Sequence, residues 1–391
     1  MRITAYGWGF VAILAVCGCG KDVHAELPDP AAGIDTPAGN DGYKTYVSAA
    51  KLMEERGAKY IGRTSWSPDQ RDAIVAAARE PLAMIDGLSE VQFARTWEGV
   101  LGVRPNTRGW RTMGRALAWK IDLALKNDNH AVAIQSFLIA VRMSNALATS
   151  DSQDADIGNQ IVLDCLGALW PALPKFGAGE LSGFSNHLTG LLNSAPKPDP
   201  IVAQERAAMF AGISWVQDRY QKRAFEEIST RLGSSVGPAV KYLRELAQEE
   251  PAAQIAYFDG FKQEMQAESD KFRRRLETAP TLWQEGEKQG IRAWQRFVKA
   301  FATSWRVYAE RRAQVRTRLR LLALDASLLA SFKSSSTVPR TLAKFPSWLR
   351  TDPFSGRDFA YVPRGVDYKL YSFGSDHSDD GGNDDDIGLG R

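Results

Sequence analysis

Aspartate residues are concentrated near the C-terminal end of the sequence, in a spacing that suits the binding of a metal cation. Six carboxylates fall within eleven residues, at positions 376, 379, 380, 384, 385 and 386. Glycines at 374, 381 and 382 allow the backbone to turn, so that carboxylate and carbonyl oxygens can converge on one point. Calcium is a hard cation that prefers such oxygen ligands. The pattern therefore predicts a calcium site, with carboxylate ligands drawn from Asp376, Asp380, Asp384 and Asp386.

The same segment resembles an EF-hand loop only in part. Asp376, Ser378, Asp380 and Gly381 copy positions 1, 3, 5 and 6 of that loop. Position 12, however, is Ile387 instead of the bidentate Glu, and no helical pattern flanks the segment. We therefore do not interpret it as an EF-hand. The alternative to a calcium site is an acidic tail that serves solubility, which is a common role for charge runs at chain ends.

The motifs around the acidic segment occur in a distinctive order. A long helical pattern ends near Phe332 and is followed by Pro339, Thr351-Asp-Pro-Phe-Ser-Gly356, Tyr361, Leu370-Tyr-Ser-Phe-Gly-Ser-Asp376, Gly381-Gly382 and Asp384-Asp-Asp-Ile387. This order resembles the C-terminal half of the major pseudopilins of type II secretion. A similar ending occurs in many uncharacterised exported helical proteins of environmental bacteria, whose front halves also look like residues 42–150 here.

The resemblance implies one calcium ion in this loop. Asp376 and Asp386 match the ligand carboxylates of the pseudopilins, and backbone oxygens from the stretch Ser372 to Ser375 and from near Ile387 could complete the site. The N-terminal methylation helix of pseudopilins has no counterpart in this sequence, which argues against assembly into a pilus. The ion is then expected to act as a folding staple. An accessory role in a type II secretion or pilus-like apparatus is the alternative that the resemblance suggests.

The N-terminus has the pattern of an export signal. Met1-Arg2 precedes an apolar run from Phe10 to Val16, which is too short to span a bilayer as a stable helix. The next residues, Cys17-Gly-Cys19, resemble the lipobox of bacterial lipoproteins, in which a small residue precedes the cysteine that receives the lipid. Gly18 and Cys19 match those two positions. We therefore expect residues 1–18 to be removed as a lipoprotein signal peptide and Cys19 to be lipidated.

The lipid would anchor the protein to a membrane, facing the periplasm. Gly20 follows Cys19, in place of the Asp that resembles an inner-membrane retention signal in some bacteria, which favours the outer membrane. The alternative is ordinary signal peptidase cleavage after Val23-His-Ala25 and a free soluble product. Residues 19–40 are rich in Pro, Gly, Asp and Ala, and they predict a flexible linker between the lipid and the folded part.

Helical periodicity dominates the sequence from Asp41 to about Phe332, and it predicts a mainly α fold. The clearest element is a helical hairpin over residues 110–148, in which Asn127-Asp-Asn129 forms the turn. Small residues at its contact give it a resemblance to tetratricopeptide-type pairing, but no 34-residue period repeats. Further helices are predicted at 42–57, 68–86, 155–172, 200–231, 236–248, 251–277, 280–302 and 304–333. We therefore expect an irregular array of helical hairpins.

The predicted regions along the chain are an N-terminal helical region at 41–195, a C-terminal helical region at 200–333 and a small module at 334–391. Prolines at 196, 198 and 200 separate the two helical regions. In the last region, residues 359–362 and 368–372 alternate in character and flank Pro363-Arg-Gly365, which predicts a β-hairpin. The acidic segment follows this hairpin.

The sequence lacks the residue groupings on which common catalytic sites depend. Its four histidines, at positions 24, 130, 187 and 377, show no metal-ligand spacing. We find no Gly-Lys-Ser/Thr phosphate loop, dinucleotide fingerprint or nucleophile elbow. Cys165 lies in an apolar run, where a thiol is typically a core residue. We therefore predict a protein that is not an enzyme and that offers a surface to an unknown envelope protein.

Charge gives no indication of a nucleic-acid partner. The formal net charge is only +3 over 391 residues, and the basic residues are spread along the chain. The densest run is Arg306 to Arg320, which contains six arginines. We interpret this run as a solvated helix face with acidic partners three and four residues away.

Overall fold

The computed structural model describes most of the folded part of the chain. It covers residues 27, 29–32, 39–57, 66–88, 91–93, 107–233, 236–278, 293–365, 367–383 and 386–388, without the side chains of 293–304. The predicted signal peptide at 1–18 and the lipidation site at Cys19 lie outside the described residues, as does most of the predicted linker at 19–40.

The described residues form a mainly α-helical protein with a small C-terminal sheet, which confirms the predicted fold class. The helices are α1 Asp41–Gly57, α2 Pro68–Ala77, α3 Arg79–Ile85, α4 Thr107–Lys126, α5 His130–Leu147, α6 Ser152–Leu169, α7 Ala178–Asn193, α8 Asp199–Gln221, α9 Phe225–Leu232, α10 Gly237–Leu246, α11 Pro251–Glu277, α12 Ala293–Ser335 and the short α13 Ser347–Arg350. A 3₁₀-helix, Trp170–Lys175, follows α6.

The predicted hairpin is formed by α4 and α5. Asp128 in the turn adopts a left-handed backbone conformation with φ of 52°. Asn129 caps the second helix, since its side-chain oxygen accepts a hydrogen bond from the backbone N–H of Val132 at 3.2 Å. The polar turn therefore both reverses the chain and starts α5.

Helix α7 was not predicted from the sequence. Three glycines lie within it, at positions 179, 183 and 190, and glycine disfavours helices. Tertiary packing offsets that cost, because Leu181, Phe184 and Leu188 are buried on one face. The Ser185 hydroxyl also donates to the carbonyl of Ala323 in α12 at 2.8 Å.

Three other helix predictions are wrong in their boundaries. The predicted helix at 68–86 is interrupted at Ala78, since Pro81 has no N–H to continue the hydrogen-bond ladder. The one at 200–231 breaks after Gln221, where Arg223 is left-handed with φ of 58° and donates to the carbonyl of Ala247. The break predicted near residue 303 is absent, because residues 293–335 form one continuous helix.

Buried apolar residues form two clusters. The front cluster contains residues from Tyr46 to Leu192 and, far along the chain, from Val315 to Leu370. The rear cluster consists mainly of residues from Ile201 to Leu276 and from Trp305 to Ala309. Helix α12 therefore begins in the rear cluster and continues into the front cluster. The sequence-based region 200–333 assigned the whole of α12 to the rear.

Glycines allow the front helices to approach closely. A Cβ atom at Gly109 of α4 would overlap the backbone of Ala50 in α1, and one at Gly114 would overlap the side chain of Ile161 in α6. At Gly158 of α6 a Cβ atom would lie 2.9 Å from the Cα atom of Ser144 in α5. These glycines are required by packing and not by their own backbone angles.

The C-terminal sheet has three antiparallel strands in the order β1-β2-β3, which are Ala360–Arg364, Asp367–Ser372 and Ile387–Gly388. Strand β1 is at an edge, and this position tolerates Pro363, which pairs with Tyr368. In β3, Ile387 pairs with Ser372 and Gly388 with Tyr371. The residues after the acidic segment thus return to the sheet.

Two further findings concern the helices. Among the described helices, none combines the length and apolar composition needed to cross a membrane. Cys165 is fully buried in α6, and burial raises the pKa of its thiol far above the usual range. A thiol in this setting is a packing residue.

Candidate functional site

The acidic loop, defined as residues 373–386, connects β2 to β3. It is held at both ends because its flanking residues Ser372 and Ile387 pair across the sheet. Three glycines of this loop, Gly374, Gly381 and Gly382, have positive φ angles of 62°, 68° and 84°. The sequence therefore places glycine where the loop needs left-handed backbone.

Asp386 is the last residue of the acidic loop, and two other residues of the loop donate hydrogen bonds to it. Its Oδ2 atom accepts hydrogen bonds from the backbone N–H groups of Asp380 at 3.0 Å and Gly382 at 2.7 Å. The residue is only 9% exposed. Its Oδ1 atom is buried and has no hydrogen-bond partner among the described residues. One oxygen of the carboxylate therefore organises the loop, and the other lacks the partner that a buried charged atom requires.

Asp379 adds a second carboxylate on the neighbouring side of the loop. Its Oδ1 atom accepts a hydrogen bond from the Tyr371 hydroxyl at 2.8 Å and from the N–H of Gly381 at 3.0 Å. Burial raises the pKa of Tyr371 to about 12, with further contributions from the Asp379 and Asp386 carboxylates. A negatively charged phenolate at Tyr371 is disfavoured because the neighbouring carboxylates are already negative.

The predicted ligands are distributed unevenly around Asp386. Asp376 is exposed, and its Oδ1 atom accepts from the N–H of Ser378 at 2.8 Å. Asp380 is half-buried and contributes its backbone N–H to Asp386. Ser375 is exposed. Asp384 lies outside the described residues.

Ser372 is buried, and its side chain bonds to Asp352 and to the first residues of the acidic loop. Its hydroxyl donates to Oδ1 of Asp352 at 2.9 Å and accepts from the N–H of Gly374 at 3.2 Å. Asp352 is fully buried and also accepts from the N–H of Phe354 and the hydroxyl of Ser355. Ser372 thus connects the start of the acidic loop to the loop at residues 351–356.

The described carboxylates of the acidic loop do not form a complete ligand set. Among the described side chains, no three His, Cys, Asp or Glu residues are close enough together to hold a metal ion. Of the four predicted carboxylate ligands, this finding covers Asp376, Asp380 and Asp386. The unpaired Oδ1 atom of Asp386 is the feature that fits a cation, since an oxygen ligand for calcium needs such an open lone pair.

The arginine run of α12 differs from its interpretation as a solvated face. Arg306 does pair with Glu310 at i+4, and Arg311 pairs with Asp156 of α6. Arg312, Arg316 and Arg320, by contrast, are half-buried and line a cleft. Their spacing of four residues was a visible signal of a shared face, but the elements that cover this face are distant in sequence.

Comparison with known proteins adds no family. No protein-family model matches the chain, and neither curated proteins nor solved structures give a significant match.

Proposed function

We propose that this chain is a non-catalytic, lipid-anchored protein of the bacterial cell envelope whose C-terminal module is stabilised by calcium. In this proposal the helical array offers a binding surface to an envelope protein, and the module at the end of the array is locked by the ion. The observation that carries the calcium part is the Asp386 carboxylate, which is buried and has one oxygen without a partner in the part of the chain that the structure describes.

The setting of Asp386 supports a cation more than a neutral partner. A buried carboxylate with an unsatisfied oxygen is costly, and a cation at that oxygen would remove the cost. Lys369 does reach the loop, but its ammonium group donates to the carbonyl of Gly381 at 2.9 Å.

Bound calcium would supply positive charge and several oxygen contacts at once. The residues that would hold it are Asp386, together with carboxylates from Asp376, Asp380 and Asp384. Backbone oxygens near Ser375 are available on the same loop. Since Asp386 directly precedes β3, an ion at its carboxylate would secure the third strand against β2.

Thermal unfolding of the full chain tests the calcium proposal. We expect calcium at one hundred times its Kd to stabilise the protein by about 2.7 kcal/mol relative to chelator. Asp386→Asn should lose this stabilisation. Asp367→Asn is the matched control, because Asp367 is exposed at the start of β2 in the same module. A calcium effect that is absent in the wild type, or equal in the Asp386 variant, would refute the site.

Lipid attachment is tested separately by labelling cells with radioactive palmitate. Cys19→Ala should abolish incorporation of the label into the protein. Cys17→Ala should retain it, because Val16 is a poor match for the small residue before an acceptor cysteine. Label that persists on the Cys19 variant would contradict the anchor and leave the calcium proposal unaffected.

The partner is tested by co-purification from membranes in mild detergent. A partner of the helical array should be recovered with the wild-type chain and with Asp386→Asn, since the array does not depend on the acidic loop. Recovery of pseudopilins that is lost in Asp386→Asn would instead favour the accessory role in a secretion apparatus.

A further inference from the structure

A cleft of about 280 Å³ lies where the C-terminal end of α11, the middle of α12 and the loop at residues 351–356 meet. Four arginines line it, three from α12 and Arg275 from α11. The loop contributes Thr351, Asp352, Pro353 and Gly356. We call this feature the arginine cleft.

The three arginines of α12 form a row on one face of the helix. Arg312, Arg316 and Arg320 are separated by four residues, so they project from the same side of the helix at successive turns. Like charges at this spacing destabilise a helix. Burial, and the neighbouring charges of Arg312 and Arg320, hold the pKa of Arg316 well below its usual range. The row therefore costs stability in the protein without a ligand.

The outer two arginines are fixed in place by backbone carbonyls. Arg312 donates to the carbonyl of Leu276 at 3.1 Å and to that of Pro196 at 3.3 Å. Arg320 donates to the carbonyl of Thr351 at 2.6 Å. Arg316, between them, has no hydrogen bond or ion pair within the described part of the chain. Its donors are thus available to a ligand in the cleft.

Two carboxylates border the cleft, and both are already engaged. Asp352 is fully buried, and its oxygens accept from Ser372, Ser355 and the N–H of Phe354. Glu277 accepts from the Nε atom of Arg273 at 3.2 Å and remains partly exposed. The arginine cleft therefore keeps an excess of positive charge.

A second cleft, between α4, α6 and α12, shows the contrasting case. It is lined by Arg111, Arg115 and Arg311, but also by Asp156 and Asp164. Arg311 pairs there with Asp156. Within the described part of the chain, the half-buried Arg316 has no such partner, and unlike Arg318, which also lacks one, it lies in a cleft between two further arginines.

We propose that the arginine cleft binds the phosphate group of an anionic ligand, with Arg316 as the principal contact. Phosphate presents several acceptor oxygens that match the planar fork of a guanidinium group. The remaining donors of Arg312 and Arg320 extend the contact on either side. Inorganic phosphate and the phosphodiester of an anionic lipid headgroup share this chemistry. The ligand would offset the mutual repulsion of the three arginines.

The test uses the full chain reconstituted in phosphatidylcholine vesicles, without added calcium and at constant ionic strength. One arm adds inorganic phosphate, and the other replaces part of the phosphatidylcholine by phosphatidylglycerol. The thermal midpoint of unfolding is measured in each arm. The variants are Arg316→Gln, Arg316→Lys and the control Arg318→Gln, which changes another half-buried arginine of α12 that does not line the cleft.

We expect at least one arm to raise the midpoint of the wild type and of Arg318→Gln, and the responding arm identifies the source of the phosphate. Arg316→Gln should weaken binding at least about tenfold, since a hydrogen bond to a charged group contributes on that scale. Arg316→Lys should weaken it less, because it keeps the charge and loses the fork. Without phosphate, Arg316→Gln should unfold at the same midpoint as the wild type or a higher one.

Three results would overturn the proposal. They are no shift of the wild-type midpoint in either arm, an undiminished shift in both Arg316 variants, and an equal loss in Arg318→Gln. If Arg316→Gln lowers the midpoint without phosphate and Arg316→Lys does not, the Lys variant provides the test. An affinity of Arg316→Lys for phosphate equal to that of the wild type would then contradict a guanidinium contact.

Discussion

The hydroxyl group of Tyr368 in β2 donates a hydrogen bond to the fully buried carboxylate of Asp325 in α12. The other carboxylate oxygen accepts from the indole N–H of Trp170, in the 3₁₀-helix after α6, at 3.3 Å. One acidic side chain therefore joins three segments that are far apart in sequence. It attaches the small sheet to the long helix inside the front cluster.

Replacing this carboxylate should destabilise the protein strongly. Asp325→Ala removes the carboxylate that accepts from Trp170 and from Tyr368, whose hydroxyl then keeps the longer contact of 3.4 Å to the carbonyl of residue 325. Loss of this buried acceptor should cost about 1–3 kcal/mol. Tyr368→Phe removes one donor only and should cost less. The control is Tyr361→Phe, which loses a half-buried bond to the carbonyl of Pro339. Urea unfolding measures all three, and an Asp325→Ala effect no larger than that of Tyr361→Phe would contradict this account.

Two glycines of the front helices should respond to alanine in opposite directions. At Gly114 the added Cβ atom would overlap Ile161, so Gly114→Ala should lower the free energy of unfolding by about 1–3 kcal/mol. At Gly167 of α6, which is exposed, the new Cβ atom would meet no atom within 4 Å. Gly167→Ala should stabilise the protein by about 0.5–1 kcal/mol. Effects of the same sign in chemical denaturation would argue against the close approach of α4 and α6.

Glu180 at the start of α7 should make stability depend on pH. Its Oε2 atom accepts from the N–H of Gly177 at 2.7 Å and lies 3.1 Å from Nδ1 of His130. The bond from Gly177, followed by the interaction with His130, holds the pKa of Glu180 below its ordinary value of 4.5. The carboxylate therefore contributes stability above pH 4.5, and this contribution is lost as the pH falls through the lowered pKa.

Glu180→Gln tests this dependence because the amide can still accept from Gly177. The charge near the helix N-terminus contributes about 0.3–1 kcal/mol, so the variant should be less stable than the wild type by that amount at pH 7. Urea midpoints of the two proteins should converge as the pH is lowered below 4.5. A difference that stays constant, or that widens in acid, would assign the effect to something other than ionisation.

The contribution of the Ser372 hydrogen bonds to the stability of the protein should also be measurable. Ser372→Ala removes the donor to Asp352 and the acceptor for the Gly374 N–H, and it should cost about 1–3 kcal/mol. Ser375→Ala changes an exposed hydroxyl of the adjoining loop and should stay within about 0.5 kcal/mol of the wild type. Thermal unfolding in chelator separates this contribution from that of calcium. Equal effects of the two substitutions would show that the Ser372 network adds little.

Local patterns were sufficient for some elements. The turn at residues 127–129 was visible from polar residues between two apolar repeats, and the β-hairpin from alternation around Gly365. Helix α7 was not visible, because its stability comes from burial of residues such as Phe184 against distant partners and not from helix propensity. The continuity of α12 across residue 303 was not visible either.

Among the site residues, those adjacent in sequence could be recognised, and those that meet only in the fold could not. The acidic loop could be located because its carboxylates and glycines are adjacent in sequence. The arginine cleft could not, since α11, α12 and the loop at 351–356 meet only in the fold. Asp325 offered a signal that was overlooked: it is a single acidic residue inside the apolar stretch from Leu321 to Leu329. A lone charge in such a stretch indicates a buried polar contact.

Helix α12 also determines when the front cluster can become complete. Its 43 residues span roughly 65 Å at the usual helical rise. Its second half closes a cluster whose preceding helices end by Asn193, through contacts such as Ser185 with Ala323 and Trp170 with Asp325. A chain made from its N-terminus exposes that apolar surface until residues beyond 315 emerge. The front helices must therefore wait until this part of α12 has been made, and chaperone protection would be needed most during this interval.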